Sequence, residues 1–297
     1  MSFKDSVMLV LLAAIWGGSF LFMRYAVPEF GVAPLIFLRV GLAALFLLPL
    51  LLWQGKLAGL KKVWHLSFIN GWANSAIPFC LIAYSLLTLS SGFASILNAV
   101  TPIATAIVGL IWLGERMPLL KSIGMLIGIA GVTLLAWNKL YVSQDDTVQV
   151  ALAIAAGVVA TLFYAISAIF TKRYLNGVDS MVLSTGSMLG ASLLLLPLAL
   201  IYWPDQSPSM LSWLAAIALA IVCSALAYLM FFRLIHTVGP ARATTVTFIV
   251  PVFGMLWGAT LLNEEVSMFM LLASAVTLLG TGLATGVISG RGTEKEK

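Results

Sequence analysis

Ten long apolar stretches follow one another along this chain, separated only by short polar breaks. They fall at about Ser6–Tyr25, Ala33–Trp53, Trp64–Leu87, Gly92–Leu113 and Leu119–Trp137, then, after the polar break Asn138–Thr147, at Val148–Tyr174, Ser180–Trp203, Leu211–Ile235, Ala241–Leu262 and Ser267–Ile288. A helix needs about 20 residues to cross a hydrocarbon core of ~30 Å. Ten spans therefore use roughly 200 of the 297 residues and leave room only for tails and short loops. The stretches do not alternate apolar and polar as barrel strands must. Backbone groups in lipid have to be satisfied internally, which favours helices. The expected fold is an all-α membrane protein with ten transmembrane helices. Only 9% of the residues are charged and 61% are hydrophobic, against about 25% charged in a soluble domain. A soluble enzyme, a coiled coil and a disordered chain are excluded on that ground. The first stretch is too long for a typical leader and runs straight into further spans, so it reads as a retained helix. Cys80 and Cys223 lie inside apolar stretches and read as small hydrophobes, with no disulfide framework.

Positive charge orients the spans. With a cytoplasmic N-terminus, the inner segments hold Lys4, Lys56, Lys61, Lys62, Arg116, Lys121, Lys172, Arg173, Arg233, Arg242, Arg291, Lys295 and Lys297, which is 13 of the 16 basic residues. The outer segments hold Arg24 and Lys139. Both termini are expected in the cytoplasm, in a multi-pass protein of the plasma membrane, the inner membrane if the source is bacterial. The net charge of +5 thus marks a membrane face; no nucleic-acid partner is expected, and lipid surrounds the chain.

The two halves repeat. A shift of 149 residues lays Pro102 on Pro251, Gly109 on Gly258 and Glu115 on Glu264, and a shift of 148 lays Pro49 on Pro197. The repeats are expected at 1–138 and 147–297, five helices each. An odd number of helices makes the second half enter the membrane from the opposite side, so the repeats are inverted. That architecture belongs to secondary transporters, with the site between the repeats near the midplane.

Trp16-Gly17-Gly18-Ser19-Phe20 in the first span, Thr101-Pro102 in the fourth, and Leu113-Gly114-Glu115-Arg116 at its end resemble motifs of the drug/metabolite transporter superfamily, EamA type. The second half departs from the pattern with Asn263-Glu264 in place of Gly-Glu, which sets that terminus apart. The resemblance covers the whole chain and implies export of small metabolites, often amino acids, aromatic ones included.

All eleven acidic residues fall in loops, tails or span ends. An intramembrane carboxylate is the usual part for a proton or cation relay, so transport is expected to run down the substrate's own gradient. No metal motif, phosphate-cradling glycine loop or nucleophile elbow is present. No metal, no cofactor and no catalysis are expected. The prolines point to a site. Proline frees the carbonyl four residues earlier: Asn74 for Pro78, Asn98 for Pro102, Thr247 for Pro251. These are expected helix kinks, and each freed position is itself polar. A kink repaired by a neighbouring helix is the other reading. Asn70, Asn74 and Pro78 share one face of the third span, as helix–helix glue or as the wall of a hydrated cavity. Arg39 is the one basic residue well inside a span; it either snorkels or pairs, or holds a substrate carboxylate. Trp16, Phe79, Tyr84, Phe163, Tyr164, Tyr228 and Phe248 each read individually as packing and together as an amphipathic wall. With Ser19, Thr101 and the residues just named, they make up the candidate substrate cavity, lined by spans one, three, four, six, eight and nine. A carrier of doubly charged phosphates would need several fixed cations at depth, and a carrier of cationic drugs a buried carboxylate. Neither is supplied. Four Gly-x-x-x-Gly pairs, starting at Gly124, Gly186, Gly254 and Gly282, read as close-packing surfaces.

Overall fold

The computed structural model describes residues 2–114, 118–142 and 146–286. Glu115, Arg116 and the basic residues 291–297 lie outside them. Among the described residues nine helices are long and apolar enough to cross a membrane, and a tenth, Val246–Leu261, is apolar but shorter. Span one is Phe3–Phe30, two Val32–Trp53, five Leu119–Val142, six Thr147–Tyr174, seven Ser180–Ile201, nine Val246–Leu261 and ten Met268–Thr285. The remaining three are interrupted. Span three joins Leu57–Gly71, Trp72–Ala76 and Ile77–Ser85; span four joins Ser91–Asn98 and Thr101–Leu113; span eight joins Met210–Ala220, Ile221–Leu226 and Ala227–Val238. No strand forms among the described residues.

Helix starts follow local chemistry. Ser2, Ser90, Asp146, Asp179, Ser209 and Ser267 each accept a hydrogen bond from a backbone N–H of the first turn, satisfying donors that have no partner inside the helix. Span one extends beyond the expected Ser6–Tyr25 because the Ser2–Asp5 capping box starts it early. Helix ends are similarly local. Gly114 closes span four with φ +66°, and Asn263, at the equivalent position, closes span nine with φ +53°. The two ends therefore close alike. Asparagine tolerates the left-handed region better than other residues with a side chain, which corrects the expectation of a distinct terminus.

The halves pack chiefly against each other. Spans five and ten pair, as do two and seven, and four and nine. The remaining major contacts come in matched sets: one with nine and six with four, three with seven and eight with two, three with six and eight with one. Exchanging each span for its repeat equivalent maps this list onto itself. Ten transmembrane helices in two inverted five-helix repeats account for that pattern. Small residues permit the close approaches. A Cβ on Gly17 would stand 2.6 Å from Phe253 Cβ, on Gly71 2.0 Å from the Ser187 carbonyl oxygen, and on Gly280 2.1 Å from Gly128 N. Gly124 and Gly128, Gly186 and Gly190, and Gly254 are likewise pressed against partners. Gly286 instead caps span ten with φ +80°, so that pair is not a simple packing surface.

Spans three and eight both carry a π-helical segment, at Trp72–Ala76 and Ile221–Leu226. Their starts are separated by 149 residues, the repeat offset. Pro78 directly follows the first segment, in a span that is helical on both sides of it from Leu57 to Ser85. It is buried. Pro102 begins a new helix, and the Asn98 carbonyl accepts a 2.7 Å hydrogen bond from Thr101 Oγ1. That carbonyl is not loose. Of these three, Pro251 lies within an unbroken α-helix, as do Pro28, Pro49 and Pro197.

Candidate functional site

A cavity of about 330 Å³ lies between the halves. Span one contributes Trp16, Ser19, Phe20 and Met23; span two Arg39; span three Asn74, Phe79 and Ile82; span four Ser95, Asn98 and Thr101. The second half adds Tyr164, Cys223, Tyr228, Phe231, Thr247 and Val250. Its size is at the small end of ligand pockets, roughly 300–1,000 Å³.

The lining is built from repeat equivalents. Trp16 and Tyr164 are 148 residues apart. Asn74 and Cys223, Phe79 and Tyr228, Ile82 and Phe231, Asn98 and Thr247, and Thr101 and Val250 are each 149 apart. Aromatic contacts bridge the halves. Trp16 meets Phe231 at 5.3 Å between centroids, and Phe79 meets Tyr164 at 6.3 Å. Asn74 donates to the Tyr228 hydroxyl at 3.3 Å.

Arg39 is the charged member, only 4% exposed. It does not snorkel. Its Nε donates to Ser224 Oγ at 3.1 Å, Nη1 points to Met23 Sδ at 3.3 Å, and the guanidinium carbon lies 3.7 Å from the Phe79 ring centroid. Ser224 belongs to the π segment of span eight and donates in turn to the Leu219 carbonyl at 2.9 Å. A π turn rotates the following residues relative to a continuous α-helix, and here it accompanies a hydroxyl turned to the guanidinium. Asn98, which lines the same cavity, has a buried Oδ1 with no hydrogen-bond partner among the described residues.

Several expected lining residues stand elsewhere. Tyr84 is 40% exposed, and Phe163, Phe248 and Pro78 do not reach the cavity. Phe163 and Phe248 are sequence neighbours of Tyr164 and Thr247, and a helix turns each next residue about 100° away. Asn70 also separates from Asn74. It accepts from Ser167 Oγ at 2.8 Å and Thr171 Oγ1 at 3.0 Å and donates to Ser187 Oγ at 3.3 Å, tying spans three, six and seven. Sequence reasoning missed Phe20, Met23, Ile82, Ser95, Cys223, Phe231 and Val250. The repeat offset pointed to two of these, Cys223 from Asn74 and Val250 from Thr101; Ile82 and Phe231 are each other's equivalents, so neither gave the other away. Span two was also missed as a cavity wall.

A model of the EamA-like transporter family matches residues 5–137 and again residues 151–286. The chain belongs to that family. It is a multi-pass integral membrane transporter, and its family implies a small-molecule substrate. Among similar proteins of the family, the uncharacterized transporter YvbV of Bacillus subtilis is 22% identical over 94% of this chain and 92% of its own length. An uncharacterized transporter of Archaeoglobus fulgidus is 26% identical over 93% and 97%. The uncharacterized inner membrane transporter YedA of Escherichia coli is 24% identical over 93% and 89%. A solved crystal structure superposes on 99% of this chain and 100% of its own at a TM-score of 0.67 and 18% identity, which shows the fold.

A second recess, of about 880 Å³, lies at the end of the bundle away from Phe3 and Thr285. Arg24, Lys139, Glu264 and Glu265 line it. The Glu264 carboxylate accepts from Ser91 N at 2.9 Å and from Ser91 Oγ at 3.1 Å, joining the end of span nine to the start of span four. At the opposite end Lys56 and Asp179 form a 2.8 Å ion pair between the halves.

Proposed function

We propose that this transporter exports small metabolites, neutral or aromatic amino acids above all, by alternating access around the central cavity. One observation carries the reading: equivalent positions of two inverted repeats converge on one aromatic-walled cavity. Repeats of this kind exchange conformations, so that a site between them faces one side and then the other. The aromatic pairs supply a wall for an apolar side chain, and Asn74, Asn98 and Arg39 supply polar contacts. Arg39 alone is a poor match for a phosphate dianion, which favours amino acids over sugar phosphates. Nothing in the cavity suits a chemical step, and we read the protein as a carrier with no enzymatic role.

The repeats are taken as 1–138 and 147–297, with both termini in the cytoplasm, in the bacterial inner membrane. The support is the placement of basic residues. Cysteines placed at Lys61 or Lys172 should be protected in intact cells and one at Lys139 labelled; the reverse pattern overturns the orientation. With no carboxylate among the residues lining the cavity, flux runs down the substrate's gradient. Uptake of labelled amino acids into liposomes holding the purified protein tests the function. Saturable flux is expected, unaltered by an imposed pH or sodium gradient. Accumulation above equilibrium, with the membrane potential clamped, would show coupling to an ion.

A further inference from the structure

The cavity presents two unmatched groups of opposite hydrogen-bonding character. Among the described residues Arg39 is the one charged side chain lining it, and its partners there are a hydroxyl, a thioether and an aromatic face. Among the described residues no carboxylate pairs with it. A guanidinium is a planar fork of five donors, suited to grip a carboxylate through two parallel bonds. A buried cation held only by neutral groups leaves much of its desolvation uncompensated. Asn98 is the complement. Its Oδ1 is a buried acceptor with no donor, while its main-chain oxygen is already taken by Thr101. A buried acceptor without a donor carries a desolvation cost that a ligand N–H removes.

We infer that Arg39 takes the substrate's carboxylate and Asn98 Oδ1 its amino group, with the side chain held against the Phe79, Tyr164, Trp16 and Phe231 walls. This deepens the amino-acid reading and rests on it. Arg39 sets the first criterion, a carboxylate, because a charge-assisted bidentate bond is the strongest contact available here. Asn98 sets the second and weaker one, because it is neutral. The site therefore selects acids over their amides and amines, and amino acids over the corresponding 2-hydroxy acids by a smaller factor.

The test is competition against labelled phenylalanine flux in proteoliposomes, with phenylalanine, phenylalaninamide and 3-phenyllactate as competitors. In the wild type, the amide should compete roughly tenfold or more weakly than the acid, and phenyllactate a few-fold more weakly. Arg39→Gln should abolish the preference for acid over amide. Asn98→Ala should abolish only the preference for amino over hydroxy acid. An amide that competes as well as the acid in the wild type overturns the assignment, as does an Arg39→Gln protein that keeps the preference. If Arg39→Gln fails to fold, the wild-type panel and Asn98→Ala decide. Ligand-induced shifts of the melting temperature, read on the same panel in detergent, separate this assignment from the transport reading. Carboxylate-dependent stabilisation without flux upholds the site and defeats amino-acid transport; flux without carboxylate dependence does the opposite.

Discussion

Spans four and nine carry a proline at equivalent positions, Pro102 and Pro251, yet break in different places. Span four stops at Asn98 and resumes at Thr101, so Pro102 sits in a first turn. Span nine begins at Val246 and runs through Pro251 without interruption. Its break lies at Thr244–Thr245, after the short helix Pro240–Ala243. This is about one turn earlier than the equivalent of Ala99–Val100. The hydroxyls account for the difference. Thr101 Oγ1 caps the Asn98 carbonyl in span four, and its counterpart Val250 has no hydroxyl to do the same. In span nine Thr245 and Thr247 cap the carbonyls of Arg242 and Thr244 at 2.7 and 2.9 Å, which moves the turn toward the helix start. Proline makes a break permissible. Where these two breaks form, a threonine three residues beyond caps the freed carbonyl.

The largest expected effect contrasts Gly254 with its equivalent Thr105. A Cβ on Gly254 would stand 2.4 Å from Ser95 Oγ, whereas Thr105 already carries a branched side chain and bonds the Thr101 carbonyl at 2.9 Å. Gly254→Val should destabilise by about 1–3 kcal/mol or more through overpacking, and Thr105→Val by less than about 1 kcal/mol. Thermal melts of the purified proteins measure both. Equal melting temperatures would mean that spans four and nine are not pressed together as described.

Asn98 and Thr247 sharpen the comparison at the site. Asn98→Ala removes an acceptor that has no partner among the described residues, so it should leave the melting temperature unchanged or raised while cutting flux a few-fold. Thr247→Ala removes a hydroxyl already committed to its own backbone and should cut flux by about twofold at most. If both proteins transport at the wild-type rate, these positions are structural and the site lies elsewhere.

Exchanging the capping residues tests the account of the breaks themselves. Thr101→Val should cost about 1 kcal/mol by leaving the Asn98 carbonyl without its partner. Val250→Thr introduces the missing hydroxyl and should be tolerated within about 1 kcal/mol. A Thr101→Val protein as stable as the wild type would detach the position of the break from the hydroxyl.

The smallest effect concerns the ion pair that ties the halves at the end of the bundle holding Phe3 and Thr285. Partial burial pushes the Asp179 carboxyl upward, but the Lys56 ammonium and the backbone N–H groups of Val182 and Met181 outweigh it and hold it below its ordinary value. A carboxyl lowered by folding adds stability above its unfolded pKa and loses it as pH falls through the folded one. Both side chains are substantially exposed, so Asp179→Asn should cost at most about 1 kcal/mol near neutrality. The gap from wild type should close in acid. A gap independent of pH would assign the cost to the helix cap rather than the charge.

The number of spans, their inversion and the family were legible in the sequence because each rests on local or additive properties. Run length, basic residues beside runs, and a repeat offset survive without knowledge of packing. Asn98, Thr101 and Thr247 were legible as residues lining the cavity from their proximity to Pro102 and Pro251, although the loose Asn98 carbonyl that suggested them is capped. Arg39 was legible as an anomaly, but not its choice between lipid headgroups and interior. That depended on Ser224, 185 residues away in sequence, placed within reach by a π segment that no proline announces.

What the sequence determined by itself, then, is how many helices cross and how the halves are related. Caps, apolar length and glycine are near-neighbour effects, and they act before distant segments meet. Only the tertiary structure decided which face of each helix looks inward. A uniformly apolar span has no polar side to betray its orientation, so Tyr164 and Phe163, or Thr247 and Phe248, are indistinguishable until the other half is packed against them. The pairing of Trp16 with Phe231, the division of Asn70 from Asn74, and the burial of Arg39 arise at that stage, because each is a contact between the two repeats.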